Sequence, residues 1–428
     1  MEIAIVILFV IGYLFIALEH NIKVNKSATA MILGAVLWTI YMVCSGEPKE
    51  SVNSELIRHL GDISAILFFL MGAMTIVELI DRHNGFEIVT KRITSTKKVT
   101  LLWVIGFITF FLSSILDNLT STIVMVSLLR KLIPEREDRL FFAGIVVIAA
   151  NSGGAWTPIG DVTTTMLWSG GQISAANIIK QLFLPSVVSL AIPLTVLSFI
   201  LKGHFAPAKN NETNENSLTK TQQVAMLTIG VAALISVPIF KTYTHLPPFM
   251  GMILGLGILW GLTELLHIFN HNRDNEFNDR SIVHALAHID MSSILFFLGI
   301  LLAVASLEVS GILETAAGWL EHHIANQDVV IVFIGIISSI VDNVPLVAAV
   351  QGMYPIVEPF QMDAQIWELL AYCAGTGGSM LIIGSAAGVA AMGMERINFF
   401  WYVKKISWLA LLGYFAGIAV YFAQLAIF

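Results

Sequence analysis

The sequence repeats one acidic motif at two distant places. SSILDN occupies residues 113–118 and SSIVDN occupies residues 338–343, each inside an otherwise apolar stretch. Each motif supplies one carboxylate and one amide, from Asp117 and Asn118 in the first copy and from Asp342 and Asn343 in the second. Carboxylate and amide oxygens, together with hydroxyls and free backbone carbonyls, suit hard cations such as Na⁺ and Li⁺. The repeated motif therefore predicts a cation or proton site.

A second pair of motifs follows each acidic motif. NSGGAWTPIGD at residues 151–161 is echoed by GTGGSMLIIGS at residues 375–385, and both are rich in helix breakers. We expect each to interrupt a membrane helix at Gly153, Gly154, Pro158 and Gly160, and at Gly377, Gly378 and Gly384. The candidate cation or proton ligands beyond the first four are Thr120, Asn151, Ser152, Thr157, Asp161, Thr376, Ser379 and Ser385. The symmetry fails where Asp161 is replaced by Ser385, so the predicted Na⁺ or Li⁺ site has three acids: Asp117, Asp161 and Asp342.

Buried carboxyl groups can alternate between a proton and a cation. Burial disfavours the charged form of an acid, so a carboxylate inside a membrane is stable only when a proton or a cation neutralises it. The two ligands cannot occupy the same oxygen together. A carrier that moves only when this charge is neutralised would exchange one ion for the other, with no enzymatic step and no bound cofactor.

The composition is that of a polytopic membrane protein. Of its 428 residues, 56% are hydrophobic and only 12% are charged, about half the charged fraction of a soluble domain. Many windows reach the roughly 20 apolar residues that one membrane crossing needs. We expect a lipid bilayer as the main partner, no nucleic acid, and a multi-pass protein of a bacterial inner membrane.

The two halves of the chain match each other. MILG at 31–34 recurs at 252–255, and DISAILFFL at 62–70 recurs as DMSSILFFL at 290–298. With the two motif pairs above, four matches occur in the same order and at nearly the same offset, which indicates an internal repeat. The predicted domains are a first repeat at 1–201, a polar cytoplasmic linker at 202–222, and a second repeat at 223–428.

Basic residues predict how the repeats are oriented. Loops 81–99 and 130–139 are both rich in Lys and Arg and should both be cytoplasmic, yet only one apolar stretch lies between them. A hairpin that enters from the cytoplasm and turns at Asp117 solves this conflict. The equivalent stretch 329–355 lacks basic flanks, which predicts entry from outside. The fold class is therefore an all-α membrane protein with two inverted repeats, about ten spans, two re-entrant hairpins and interrupted helices.

The motifs resemble those of a known transporter family. SSILDNLTSTIVMVSLLRKLIP, AANSGGAWTPIGDVTTTMLW and SSIVDN are similar to motifs of NhaD-type sodium/proton antiporters of the ion transporter superfamily. The resemblance covers nearly the whole chain. It implies exchange of Na⁺ or Li⁺ for H⁺, a homodimer, and an elevator-like motion. It also implies a scaffold at 1–99 and 223–327 and a mobile part at 100–201 and 329–428.

Other functions remain open from the sequence. The same superfamily contains dicarboxylate carriers, so a Na⁺- or H⁺-coupled carrier of organic anions is the main alternative. A fixed Asp117 at the tip disfavours it, because the carboxylate would repel an anion at close range. An intramembrane aspartyl protease would need glycine where the chain has Pro158, and a channel would not need paired inverted hairpins.

Overall fold

The computed structural model describes most of the chain as helices. The described residues are 1–17, 19–86, 88, 96–201, 203–205, 220–269, 282–324, 326–340 and 342–427. Most of the predicted linker 202–222 therefore lies outside the described residues. In the first half the helices are α1 Glu2–Ala17, α2 Lys26–Cys44, α3 Lys49–Arg82, α4 Lys98–Leu116, α5 Asn118–Leu132, α6 Arg136–Gly154, α7 Val162–Ser169 and α8 Ala175–Ile200, with a single helical turn at Glu19–Ile22.

The second half has a hairpin and an interrupted helix in the same order, with two further short helices at Ile282–His288 and Ile312–His323. Its helices are α9 Lys220–Thr244, α10 Pro248–Phe269, α11 Ile282–His288, α12 Met291–Val309, α13 Ile312–His323, α14 Gln327–Ile337, α15 Asn343–Met353, α16 Gln365–Gly377, α17 Ala386–Glu395 and α18 Phe399–Ile427, the last containing a π turn at Val403–Ser407. The hairpins α4–α5 and α14–α15 and the interrupted helices α6–α7 and α16–α17 fall where the motifs predicted them.

Eight helices in the described part are long and apolar enough to cross a membrane. They include α4, an arm of the first hairpin, and they exclude the shorter α1 and both interrupted helices. Of the halves of the interrupted helices, α7, α16 and α17 are too short, and α6 begins with four charged residues. Without α4, which belongs to a hairpin, seven of these helices are full crossings. Adding α1 and the two interrupted helices gives the ten predicted spans. The fold class expected from the sequence is confirmed.

The bases of the two hairpins lie at opposite ends of α8. Beyond its C-terminal end, Gly203 O accepts a hydrogen bond from Lys98 N (3.2 Å), and Lys98 Nζ lies 2.5 Å from Asp138 Oδ2, next to the end of α5. The first hairpin therefore begins and ends near the C-terminal end of α8. A helix of 26 residues spans about 39 Å, so the other end of α8 is a membrane thickness away.

The other end of α8 lies beside the base of the second hairpin. Ser174 N donates to Asp363 Oδ1 (2.6 Å), and Gln365 Nε2 donates to both carboxylate oxygens of Asp328 in the first turn of α14 (2.9 and 3.0 Å). The hairpins thus enter from opposite ends. This is the geometry of inverted repeats.

The helices pack as two groups. The scaffold group contains α1–α3, α9, α10 and α12, and its tightest crossing joins α2 to α12, where a Cβ on Gly34 would lie only 2.6 Å from Gly299 O. The core group contains α4–α8 and α14–α18, and α8 meets α18 at Gly413, whose added Cβ would lie 2.2 Å from Ser189 O. The two groups divide the chain near the boundaries of the predicted scaffold and mobile part, and the motion itself stays a prediction.

One predicted loop is helical. Hydropathy predicts an outside loop at residues 45–61, but α3 already begins at Lys49 and continues unbroken through Gly61. The extension carries no internal proline, and Arg58 binds Glu55 (2.8 Å) and lies 3.9 Å from Asp62 on the same helix face. Charged pairs at these spacings support a helix beyond its apolar part, which hydropathy alone does not reveal.

Candidate functional site

The first hairpin turns at Asp117, as the motif predicted. Asp117 has φ 85° and ψ 162°, in the region that residues other than glycine rarely adopt, and this ends α4 and starts α5. Its carboxylate caps α5, because Oδ1 accepts from Thr120 N (2.8 Å) and Oδ2 accepts from Thr120 Oγ1 (2.9 Å). The broken helix therefore presents a carboxylate and irregular backbone inside the core group.

Asp161 holds the equivalent position at the start of α7. Its Oδ1 accepts from Thr163 N (2.9 Å) and Thr163 Oγ1 (2.8 Å), and its Oδ2 accepts from Asn118 Nδ2 (2.7 Å). The side chain is almost fully buried. Within the described part of the chain, no salt bridge involves Asp117 or Asp161. The first half thus holds two carboxylates, Asp161 buried and Asp117 partly buried, whose partners are neutral hydrogen-bond donors.

An amide network joins the first tip to both helix breaks. Asn118 Nδ2 also approaches Asn151 Oδ1 (3.0 Å), and Asn151 Nδ2 donates to Ser379 Oγ and Ser385 Oγ, both at 2.9 Å. Asn151 is completely buried, as expected for an amide that is satisfied on both sides. Asn151 therefore connects the two repeats at their centre.

A small cavity opens between Asp117 and Asp161. Its volume is about 20 Å³, which is enough for one water-sized particle. The core group contributes the two acids, with Leu116 and Thr165 beside them, and the scaffold group contributes apolar side chains of α3, α9 and α10: Phe69, Leu70, Ala73, Met74, Leu234 and Met252. The cavity thus lies at the boundary of the two groups and is polar only on the core side.

Three of the predicted cation ligands form hydrogen bonds with backbone carbonyls or with another serine, and not with the acids. Thr157 Oγ1 donates to Ser114 O (2.7 Å), and Thr376 Oγ1 donates to Tyr372 O (2.6 Å). Ser152 Oγ lies 3.2 Å from Ser189 Oγ. Neither serine is a hydrogen-bond partner of Asp117 or Asp161 in the described contacts. Thr157 and Ser152 thus link different elements and Thr376 bonds within its own helix, and any contact of these three side chains with a cation stays a prediction.

The predicted breakers act through close backbone contacts. A Cβ on Gly153 would lie 2.2 Å from Phe110 O, and one on Gly377 would lie 2.0 Å from Gly335 O. Gly160 and Gly384 similarly meet Ser113 O (2.9 Å) and Ser339 O (2.5 Å), while Gly154 and Gly378 meet the carbonyls of Gly160 and Gly384. Pro158 O accepts from Thr165 Oγ1 (3.0 Å). Each hairpin therefore packs directly against the break of its own repeat.

The second hairpin tip has a different environment. Asp342 caps α15 through Val344 N (3.3 Å), and Asn343 is buried in the first turn of that helix. Asp342 Oδ2, however, lies 3.2 Å from Lys26 Nζ and lines an open cavity of about 620 Å³. The three predicted acids thus line two cavities in this conformation, and a site shared by all three stays a prediction.

Sequence reasoning did not find Lys26. The residue is the first of α2, in a short connection between two apolar runs, where a lysine is ordinary. Residues 26 and 342 are far apart in the chain, and no periodicity or motif links them. Its role is visible only because the fold brings α2 against the second tip.

Comparison with known proteins identifies relatives along the full chain. A family model described as citrate transporter (CitMHS) matches residues 13–375. Sodium/proton antiporter 2 of Arabidopsis thaliana is 50% identical over 419 residues, covering 97% of this chain and 98% of that protein. The Na⁺/H⁺ antiporter NhaD of Vibrio cholerae is 29% identical over 444 residues, covering 98% of this chain and 91% of the relative.

A solved structure shares the fold. The YdaH transporter of Alcanivorax borkumensis superposes with a TM-score of 0.60, covering 94% of this chain and 99% of that one. Sequence identity is only 11%, so this likeness concerns the fold alone.

Proposed function

The chain belongs to the CitMHS citrate transporter family and to the NhaD-type sodium/proton antiporters, and from this premise we propose that it exchanges Na⁺ or Li⁺ for protons across a membrane. The observation that carries the proposal is the water-sized cavity between Asp117 and Asp161, which has two carboxylates and no basic partner among the described residues. The relatives are transporters, and the helices make this an integral multi-pass membrane protein. A bacterial inner membrane stays a prediction, since similar proteins include plant ones.

The donors around the cavity fit a small hard cation. Asp117 and Asp161 offer carboxylate oxygens, and Asn118 already donates its N–H to Asp161, which leaves its carbonyl oxygen available. Oxygen ligands of this kind prefer Na⁺ and Li⁺ over softer metals. In an apolar enclosure, two carboxylates that lack a basic partner must carry a proton or a cation to avoid a large desolvation cost.

Competition for these oxygens supplies the exchange. With Na⁺ bound, both acids are deprotonated, and when Na⁺ leaves, at least one proton must replace it. Na⁺ loading therefore releases protons on one side of the membrane, and proton loading releases Na⁺ on the other. Asn118 and Asn151 keep the two helix breaks aligned through this cycle, because the hydrogen bonds of Asn151 are to neutral partners that do not titrate.

An alternating-access motion fits the two helix groups. The cavity lies at the boundary between the groups, and the scaffold side chains that line it are apolar, so movement of the core group past the cavity breaks no hydrogen bond with these side chains. We propose that the core group moves in an elevator-like manner and that the protein is a homodimer, as the resemblance implies.

A carrier of organic anions is the second candidate. The family description favours it, and so does the cavity of about 620 Å³ beside Asp342, which Lys23 and Lys26 line. Glu19 and Asp342 line the same cavity, however, and would oppose an anion. The cation exchanger is therefore the better supported function.

Purified protein in liposomes with an entrapped pH dye distinguishes the two. We expect Na⁺ and Li⁺, but not K⁺, to dissipate an imposed pH gradient, because the cation and the proton compete for the same carboxylate oxygens. Uptake of labelled citrate or succinate, with no response of the gradient to Na⁺ or Li⁺, would instead establish the anion carrier.

A further inference from the structure

The ion pair between Lys26 and Asp342 bridges the two helix groups. Lys26 belongs to the scaffold group, and Asp342 stands at the tip of the second hairpin in the core group. The Nζ–Oδ2 distance is 3.2 Å, and the side chains are only 25% and 16% exposed. The same ammonium lies 4.3 Å from the centroid of the Phe296 ring on α12. Movement of the core group must break this pair.

Lys26 is fixed to the scaffold. Asn25 caps α2 by accepting from Ser27 N (2.8 Å), and the backbone N–H of Lys26 donates to Glu19 Oε1 (3.0 Å). A cation in the first turn of a helix is disfavoured by the helix dipole. The Asp342 carboxylate and the Phe296 ring offset this, so the lysine is held in place by contacts with its surroundings rather than by its own helix.

The charged groups facing Asp342 are few. The open cavity is lined from the scaffold side by Glu19, Lys23 and Lys26, with the phenol of Tyr13, and from the core side by Asp342. Of these cavity-lining groups, Lys26 is the one that forms an ion pair with the tip carboxylate in the described part of the chain. In the first repeat, the equivalent carboxylate of Asp117 faces a cavity of cation size. In the second repeat, the ammonium group of Lys26 lies beside the carboxylate of Asp342 instead.

We propose that Lys26 is a built-in competitor for the cation at Asp342, and that their ion pair latches the empty carrier. This inference rests on the proposed exchange and on the prediction that Asp342 is a ligand of the transported cation. Without an ion on Asp342, its carboxylate binds Lys26 and holds the core group against the scaffold. A cation bound at Asp342 takes the place of the Lys26 ammonium group, so the latch opens only for a loaded carrier. Lys26 is thus a positioning residue that enforces coupling.

Three variants test the latch in proteoliposomes. Lys26→Met removes the charge while keeping the apolar stem, Lys26→Arg keeps the charge, and Lys23→Met is the matched control because Lys23 lines the same cavity but is exposed. We expect Lys26→Met to lower the half-saturating Na⁺ concentration about tenfold, because a charged competitor has gone. It should also pass Na⁺ without the compensating proton. Lys26→Arg and Lys23→Met should keep wild-type coupling.

The outcomes separate the latch from the exchange itself. Wild-type vesicles without Na⁺-driven proton movement overturn the proposed function and this inference with it. Wild-type exchange, combined with unchanged affinity and coupling in Lys26→Met, overturns the latch alone, as does an equal effect of Lys23→Met.

A second measurement covers the case in which Lys26→Met does not fold. It keeps Lys26 and places a cysteine at Ile340, an exposed residue of the same cavity, in a Cys44→Ser, Cys373→Ala background. Na⁺ should change the rate at which a soluble maleimide labels this cysteine, because the core group is released from α2. The same labelling rate with and without Na⁺, in protein that performs exchange, would contradict the latch.

Discussion

The two hairpin tips share a motif but have different electrostatic surroundings. Both repeats place a serine four residues before the aspartate against the broken helix of the same repeat: Ser113 Oγ donates to Ala150 O (2.6 Å) and Ser338 Oγ donates to Ala374 O (2.9 Å). Asp117 nevertheless faces a cavity of about 20 Å³ with a second acid, whereas Asp342 faces a lysine in a cavity of about 620 Å³. Duplication has thus kept the framework and changed the charges.

The two repeats also differ at their helix breaks. Asp161 and Ser385 both cap the following helix, with φ, ψ of −146°, 150° and −144°, 156°. Asp161 accepts from Asn118, whereas Ser385 accepts from Asn151. The backbone is therefore symmetric where the chemistry is not, which favours an ion at the break of the first repeat and a neutral polar bridge at the break of the second.

The largest expected effect is loss of exchange on removing an acid of the first repeat. Asp117→Asn and Asp161→Asn keep size and shape but cannot alternate between protonated and cation-bound states. Na⁺-driven proton movement in vesicles should therefore fall to background. Loss of the charged contact, worth about 1.5–3 kcal/mol, should also lower Na⁺ affinity roughly 10- to 150-fold. Asp290→Asn, which changes an exposed helix cap of the scaffold group, is the control and should stay near wild type. Exchange by either core variant would remove that acid from the mechanism.

Alanine at the two packing glycines should damage both repeats alike. Gly153→Ala and Gly377→Ala each force a methyl group against a backbone carbonyl, and such overpacking typically costs about 1–3 kcal/mol or more. Thermal unfolding in detergent should show a lower midpoint for both variants. Gly393→Ala, on a helix where a Cβ meets nothing within 4 Å, is the matched control. A stable Gly377→Ala beside an unstable Gly153→Ala would mean that the framework is less symmetric than its contacts indicate.

Removal of the central amide should weaken the site without abolishing it. Asn151→Ala deletes the bridge between Asn118 and the two serines, and each buried group left unsatisfied costs about 1–3 kcal/mol. We expect the half-saturating Na⁺ concentration to rise by about tenfold at fixed pH, with exchange still detectable. An unchanged Na⁺ titration would show that Asn118 holds Asp161 without help from the second repeat.

The smallest effect is expected from restoring the missing acid. Ser385→Asp places a carboxylate at a backbone position that already matches that of Asp161, so the variant should fold and Asn151 Nδ2 should still have an acceptor. The added buried carboxyl group needs its own proton or cation. The pH profile of exchange should therefore shift while maximal exchange changes little. Loss of all exchange would indicate that the asymmetry itself is required.

The sequence predicted the local features of the fold well. The tip at Asp117 and the breaks between residues 154 and 162 and between 377 and 386 lie where the motifs placed them. They were predictable because clustered glycines and polar residues interrupt a helix, and a membrane protein tolerates such irregular backbone only where it is buried or lines a cavity. The resemblance to NhaD-type antiporters, drawn from the same motifs, is confirmed.

Contacts across the fold could not be predicted in the same way. The Lys26–Asp342 pair joins residues 316 positions apart, and neither residue type nor spacing indicates that they meet. Hydropathy predicts a loop at residues 45–61, although a helix begins at Lys49 and charged side-chain pairs support it. In both cases the deciding interaction is between side chains whose proximity only the folded chain establishes.

Proton release on Na⁺ binding is the most direct test of the central claim, that one cation and the protons on Asp117 and Asp161 compete for the same oxygens. Detergent-purified protein in weak buffer with a pH dye needs no membrane gradient and no transport step. The wild type should release protons when Na⁺ or Li⁺ is added but not when K⁺ is added, and Asp161→Asn should release none. Na⁺ binding by the wild type without proton release, or undiminished release by Asp161→Asn, would contradict the account.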